Sequence, residues 1–415
     1  MPTNILLLQG PIGPFFKRWS RQLKAQGHRV YKINFNGGDS FFYPGKNSIN
    51  YSDTLEAWPD FLQSILLRWN IDRIYVFGDC RAYHVIAAEK ARKMGLTFSV
   101  FEEGYLRPDY ITLEEGGVNG NSSLCHENIR LKPADSSIDM PKHISHSFLF
   151  SSLYSIIYYI ASSLSRKKFP EYQHHRPLNI WSEGKLWLKG FARKLKYKIT
   201  EHQAATRILQ ANTPYFLVPL QVHADMQVRQ HSDFDSIENF ICQVVHSFSR
   251  SADTNCTLVF KHHPLDRGYK NYSGLIKLLE ELHGIHGRII YLHDWHLPTL
   301  LKNARGTVTI NSTVGISSLH HGTPVKTLGK AIYNIEGLCS QNDLSEFWQQ
   351  PGKVDKILFN QFRRHLLQSN QINGNFYRPA PQSRNASGLH IPEALLRAHD
   401  IQNLPPRFEE AVTSH

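Results

Sequence analysis

Short apolar runs alternate with longer segments of helical period along most of the chain. Asn4 to Leu8 is the first such run, and Phe15 to Gln26 then carries apolar residues at helical spacing until Gly27 stops it. Val30 to Phe35 reads as a strand broken by Asn36-Gly37-Gly38-Asp39. Leu55 to Trp69 is helical, Arg73 to Phe77 a strand, Tyr83 to Met94 a helix closed by Gly95, and Thr97 to Phe101 a strand running into Glu102-Glu103-Gly104-Tyr105. A second series begins at Pro214. Strands are expected at Tyr215 to Leu220, Thr257 to Phe260, Arg288 to Leu292 and Gly306 to Ile310, with helices near Ser236 to Ser249, Leu275 to Leu282, Leu297 to Asn303 and after Ser312. Beyond Gly337 the chain turns polar, with one more helix at Val354 to Ser369 and a Pro-rich, mobile tail.

Alternating strands and helices imply parallel sheets covered on both faces. Two such units facing across a cleft make an α/β fold of GT-B type, with two Rossmann-like domains, a helical basic insertion and a C-terminal helical tail. The expected division is an N-terminal, acceptor-side domain at 1–135, a basic and aromatic helical segment at 136–205, a nucleotide-sugar-binding domain at 206–340, and a helix with tail at 341–415. Ligands in open α/β sheets bind at the carboxyl ends of the strands, and each strand here runs into a loop of glycine and polar residues. Gly10 and Gly13 do not complete a GxGxxG fingerprint, which argues against a nicotinamide or flavin cofactor.

The 415 residues suffice for two sizeable cores. Five cysteines lie scattered without paired spacing, so neither a disulfide framework nor a zinc site is expected and a reducing cytoplasm is the simplest setting. The opening MPTNILLLQG reads as a strand rather than a leader. No uninterrupted run of membrane-spanning length occurs; the longest candidate, Phe148 to Leu164, is diluted with serine and reads as a buried or interfacial helix. Net charge is +12, and Arg166 to Thr200 holds ten Lys or Arg against Glu171 and Glu183. There Trp187, Phe191 and Leu195 share one helical face while Lys189, Arg193 and Lys196 share another. Such a helix suits an anionic lipid surface, or equally a solvated helix packed on its own domain. No nucleic-acid motif accompanies the charge.

Two loops of the second unit suggest a grip on the phosphate of an activated sugar. Ser312, Thr313 and Gly315 stand where a strand turns into a helix, and Lys261 and His263 close another strand in Lys261-His262-His263-Pro264. An ordinary capped helix would use the same residue types. Sugar transfer with retention needs a carboxylate that attacks and a second that moves a proton. Asp225, after the first strand of the second unit, could attack or could cap the next turn. Glu102 and Glu103 are adjacent on a strand, so they point to opposite sides and only one faces the cleft; solvated loop acids are the plain alternative. Histidine doublets lack metal-site spacing, and Asp233-Phe234-Asp235 imitates a metal-binding DxD that a nucleoside monophosphate donor has no diphosphate to use.

The segments QGPIGPFF, YKINFNGGD, VFGDCR, FEEGYLRPDYITLEEGGVNG, PLQV, KHHP and NSTVGISSLHHGTPV resemble the KpsS-type capsule polysaccharide biosynthesis proteins, a retaining β-Kdo transferase family. The resemblance spans roughly Asn4 to Val325. It implies transfer of β-Kdo from CMP-Kdo to phosphatidylglycerol or lysophosphatidylglycerol, priming the linker of a capsular polysaccharide, through a double displacement. It further implies a protein peripheral on the cytoplasmic side of the inner membrane, working with other capsule assembly and export proteins and requiring no metal or other cofactor. Carried over by motif, Asp225 is the nucleophile and Glu103, or else Glu102, the acid/base; related bifunctional enzymes read EDG there, which leaves the choice open. Gln221, Lys261, His263, Ser312, Thr313 and Gly315 would hold the CMP-Kdo, His263 also assisting departure of CMP. Gly10, Asn36, Gly37, Gly38, Asp39 and Arg107 are the candidate acceptor contacts. A CMP-sialate transferase and a non-catalytic export or scaffold protein are the rival readings.

Overall fold

The computed structural model describes residues 2–125, 131, 142–172, 180–202, 206, 213–381 and 383–389. The His174–His175 doublet, Arg176 and the chain beyond 389 lie outside the described residues, as does the side chain of Trp187.

The first lobe follows the order β1 (Asn4–Leu7), α1 (Phe15–Ala25), β2 (Arg29–Asn34), α2 (Gly37–Phe42), β3 (Ser48–Asn50), α3 (Trp58–Arg68), β4 (Arg73–Phe77), α4 (Ala82–Lys93), β5 (Thr97–Glu103) and β6 (Tyr110–Glu115). Two helices connect the lobes, α5 (Ser147–Leu164) and α6 (Ile180–Thr200). The second lobe runs β7 (Tyr215–Pro219), α7 (Met226–Gln230), α8 (Ile237–Ser251), β8 (Thr257–Lys261), α9 (Ser273–His283), β9 (Ile289–Leu292), α10 (Leu297–Asn303), β10 (Gly306–Thr309), α11 (Val314–His320) and β11 (Val325–Thr327). It closes with α12 (Leu344–Gln349), and α13 (Lys356–Ser369) and β12 (Gln371–Asn373) follow.

The second sheet is wholly parallel, ordered β11-β10-β7-β8-β9, and its central strands β7 and β8 are buried along nearly their whole length because helices cover both faces. The first sheet, ordered β12-β6-β5-β4-β1-β2-β3, is parallel from β5 to β3 and antiparallel at β6 and β12. Alternation along β5 sorts its residues between two cores. Phe98 and Val100 join the α3/α4 side, with Trp58, Tyr83 and Ala87, and Phe101 joins the α1 side, with Phe15, Phe16 and Trp19. Each buried aromatic of this kind contributes roughly 1.5–3 kcal/mol.

The chain does not end as a detached helix and tail at 341–415. Beyond α13 it returns to the first lobe, where Ile372 pairs with Ile111, and Phe376 and Leu389 are fully buried against the α1-side core. Arg18 secures this return by donating to the carbonyls of Phe376 (2.8 Å) and Ser387 (3.3 Å). A further apolar cluster joins the lobes: Tyr105, Leu106 and Leu124 of the first pack with Ile316 and Leu319 of α11 and Phe362 of α13.

The Asn36–Asp39 segment, expected at the acceptor site, is the seat of α5 instead. A Cβ on Gly37 would lie 2.3 Å from the Ala161 carbonyl oxygen, and one on Gly38 would lie 2.3 Å from the Tyr158 ring, so only glycine admits this approach. Polar contacts complete the seat. Asn36 donates to the Tyr158 hydroxyl (2.6 Å), that hydroxyl donates to Asp39 (3.2 Å), and Ser162 accepts from the Gly38 N–H (3.1 Å). Arg107 is exposed and donates to the Gly104 carbonyl of its own turn.

α6 packs with a different face from the one its periodicity suggests. Its polar side docks on the second lobe: Arg193 donates to the Arg267 carbonyl (2.8 Å), and Tyr197 stacks on His293 with ring centroids 3.8 Å apart. The buried Glu201 then accepts from the His293 and Asp294 N–H groups and meets His293 Nδ1 at 2.6 Å. Phe191, Leu195 and Ile199 remain exposed.

Candidate active site

Three adjacent strands, β10, β7 and β8, deliver their following loops to one edge of the second sheet, and side chains staple these loops together. Asp225 begins α7. Its Oδ1 accepts from the Gln227 N–H (2.9 Å), and its Oδ2 accepts from Gln221 Nε2 (3.1 Å). Capping and the candidate attack therefore fall to one carboxylate, whose rotamer both bonds hold. Gln221 Nε2 also donates to Asn311 Oδ1 (3.0 Å), and Asn311 Nδ2 donates to the Gln227 carbonyl (2.9 Å). Ser312 and Thr313 follow directly. On the other flank, His223 binds the fully buried Asp266 through its N–H (2.7 Å) and its ring, which fixes the Asp225 loop to the turn after His263.

Each grip residue has a distinct environment. His263 Nδ1 accepts from the Leu265 N–H (3.2 Å), which leaves the ring proton on Nε2 as a donor. Ser312 Oγ accepts from the Val314 N–H, and the Thr313 hydroxyl makes no hydrogen bond to a described residue. Gly315 is needed for packing rather than as a ligand, since a Cβ there would lie 2.3 Å from the Tyr333 hydroxyl oxygen. Lys261 departs from its expected role. It is 6% exposed, donates to the carbonyls of His293 (2.8 Å) and His262 (3.3 Å), and burial lowers its pKa to about 8. Its ammonium joins the ends of β8 and β9. Gln221 likewise spends its amide inside the loop network.

Opposite stands the carboxyl edge of the first sheet. Cys80, in the loop after β4, receives Gln227 Nε2 at 3.4 Å, and its carbonyl accepts from Gln230 (3.3 Å). The first lobe thus touches the very helix that Asp225 caps. Glu102 and Glu103 diverge as strand geometry requires. Glu103 lies on the α1 side and accepts from the Tyr377 hydroxyl (3.1 Å), contributed by the returning chain. Glu102 lies on the α4 side, where its Oε2 would be 3.4 Å from a Cβ on Gly78 and where the charges of Asp79 and Arg81 act on it. Burial, assisted by the charges of Glu103 and Asp79, pushes its pKa up to about 7.

Residues 72–377 match the family described as "Capsule polysaccharide biosynthesis protein". The chain belongs to that family. It is 40% identical over 374 residues to "Capsule polysaccharide export protein KpsS" of Escherichia coli, covering 90% of this chain and 96% of the relative. It is 42% identical over 383 residues to "Capsule polysaccharide modification protein LipB" of Neisseria meningitidis serogroup A, covering 90% and 91%. Among solved structures, the β-Kdo 2,7 transferase of KpsC from Thermosulfurimonas dismutans aligns over 88% of this chain and 99% of that one, at 14% identity and a TM-score of 0.37.

In this capsule polysaccharide biosynthesis protein, the expected site residues therefore divide. Asp225, His263, Ser312 and Thr313 share one loop cluster, and Glu102 lies at the junction facing it. Gln221, Lys261 and Gly315 build that cluster from behind, while Asn36 to Asp39 lie under α5 and Arg107 sits on an outer turn. Asp233 and Asp235 are exposed on either side of buried Phe234. Sequence reasoning passed over Asn311, Asp266 and Arg81. Asn311 stands first in the Asn-Ser-Thr run and Asp266 two residues past the His-Pro pair, so motif position could have marked both.

Proposed function

We propose that this protein is a retaining glycosyltransferase that moves β-Kdo from CMP-Kdo to (lyso)phosphatidylglycerol at the cytoplasmic face of the inner membrane. The observation carrying this reading is the stapled loop cluster: a rotamer-locked Asp225 on a loop tied to those of Ser312, Thr313 and a His263 whose Nδ1 accepts from the Leu265 N–H, with Glu102, a carboxyl group whose pKa is about 7, at a strand end of the first lobe. In the first half-reaction, an Asp225 oxygen bonds the anomeric carbon as the bond from that carbon to the CMP phosphate breaks. The electron pair leaves with CMP, whose added charge His263 Nε2–H and the Ser312 and Thr313 hydroxyls receive. In the second, the acceptor hydroxyl gives its proton to Glu102, its oxygen bonds the anomeric carbon from the opposite face, and the pair returns to Asp225. Two inversions give retention. A monophosphate donor has no diphosphate for a metal to bridge, so the reading calls for none.

The names of the two relatives speak of export and modification, and the resemblance supplies the sugar. The test is therefore direct. Purified protein should release CMP from CMP-Kdo beyond one equivalent only when a short-chain lysophosphatidylglycerol is present. Glu102→Gln should accumulate a sugar adduct on the peptide containing Asp225, seen by mass spectrometry, because the second half-reaction loses its base. Asp225→Ala should abolish transfer. Substantial transfer by that variant removes Asp225 as nucleophile; turnover with CMP-sialate alone changes the donor, and no turnover with either favours a non-catalytic capsule protein.

A further inference from the structure

Two surface features of the first lobe adjoin, and no part of the chemistry above uses either. The first is the outer face of α5. Leu149, Leu153, Ile156, Ile160 and Leu164 fall within one narrow stripe of the helix, opposite Tyr158 and Ser162, and all five are exposed, Leu164 at 81%. Only 11% of this 18-residue helix is buried, and its length and composition would suit a membrane span. It is nonetheless held to the lobe, because Tyr158 bonds to the buried Gln9, Asn36 and Asp39 side chains and Ser162 accepts from the Gly38 N–H. A helix fastened along one side and apolar along the other lies on a surface rather than through it.

The second feature is a cavity of about 330 Å³ bordered by Lys17, Arg21 and Lys24 of α1 and by Lys46. No acidic residue lines it, and none of the four cations has an ion-pair partner among the described residues. A narrow crevice sharing Lys17 and Tyr43 with this cavity leads to Tyr158 of α5, and Phe42 packs against Tyr154 of α5 with centroids 5.6 Å apart. The cationic groove and α5 therefore adjoin across Phe42 and Tyr43. Together they match the two parts of an anionic phospholipid layer, acyl carbon and headgroup phosphate.

We propose that this face docks the protein on a bilayer carrying anionic phospholipid, with α5 in the acyl boundary and a headgroup phosphate between Lys17, Arg21, Lys24 and Lys46. Its purpose rests on the phospholipid-acceptor reading, but its occurrence does not. The test is sedimentation of the full chain with vesicles of phosphatidylcholine alone or mixed with phosphatidylglycerol. Wild type should pellet with the mixed vesicles and far less with the neutral ones. Lys17→Glu/Arg21→Glu/Lys24→Glu should weaken binding ~10²-fold, since each charge near such a surface is worth about 1 kcal/mol. Leu153→Asp/Ile156→Asp should abolish pelleting, and both variants should keep the CMP-induced rise in melting temperature. On wild type, mixed vesicles should slow amide exchange across 147–164, a readout that needs no variant. Failure of wild type to pellet, equal pelleting by the variants, or unchanged exchange at 147–164 overturns the proposal. So does a concentration-dependent dimer that buries the stripe and that Leu153→Asp/Ile156→Asp dissolves. Absence of the CMP-induced rise in wild type counts against the transferase reading alone.

Discussion

Two adjacent glutamates on β5 differ in surroundings because a strand sends them to opposite faces. Glu103 shares the α1-side core with Tyr377, whereas Glu102 shares the α4 side with Asp79 and Arg81. The sequence alone could state the divergence but not its direction, since the deciding neighbour, Tyr377, lies far along the chain. A base must be ionised to accept a proton, so with a carboxyl pKa of about 7 the turnover rate should climb with pH through that value and then level. Glu102→Gln should lower kcat ~10²–10⁴-fold and erase this limb, while Glu103→Gln keeps both limb and rate. Stability gives an independent readout of opposite sign. A carboxyl raised in the folded state holds a proton that the unfolded chain has already lost, so its contribution declines as pH rises from the ordinary glutamate range toward about 7. Glu102→Gln should therefore gain stability relative to wild type over that interval in urea melts. A pH-independent difference, or an acidic limb that survives the substitution, would return the role to Glu103.

At the scale of elements, the parallel strands were legible because strands buried on both faces are apolar throughout, and their helices carry a clear 3.6-residue period. Several of the missed elements share a physical cause. β3 and β12 have three residues each, too few to display a period, and α2 hides in Asn36-Gly37-Gly38-Asp39, whose composition reads as a loop. The glycines that suggested room for a ligand make room for a helix. On α6, Phe191, Leu195 and Ile199 are exposed, as a lipid-facing side would be, while Arg193 and Tyr197, with Glu201 just beyond the helix, make the contacts to the second lobe. The seat of α5 can be tested against the acceptor role once expected of it. Gly38→Ala should force Tyr158 aside, cost ~1–3 kcal/mol and speed amide exchange over 147–164. Gly274→Ala in α9, with no atom within 4 Å of the added methyl, serves as the neutral control. A raised KM for acceptor with unchanged stability and exchange would restore Gly38 to the site.

Across the whole molecule, the segment 371–389, expected as part of a C-terminal tail, packs in the first lobe. The chain leaves lobe one after residue 125, builds lobe two, and returns through α13 and β12, so lobe two is a continuous piece of sequence and lobe one is not. The return also supplies Phe362 and Leu366 to the cluster joining Tyr105 and Leu106 to α11, the helix that follows Ser312 and Thr313. One apolar assembly thereby spans from the Glu102 strand end to the phosphate grip. Chain length at the C-terminus is therefore a graded probe of the first lobe. A chain stopped after Asn370 loses Ile372, Phe376 and Leu389 from a closed core, together with both carbonyl partners of Arg18. Emptying each such site costs ~2–5 kcal/mol, and three together rival the ~5–15 kcal/mol that holds a typical domain folded. That chain should be insoluble, or should melt in two steps with lobe two surviving. A chain stopped after Leu389 keeps every one of these contacts and should melt within a few degrees of the full-length protein. Equal melting of the two truncations would show that the return adds nothing to lobe one, and the assignment of 371–389 to its core would fall.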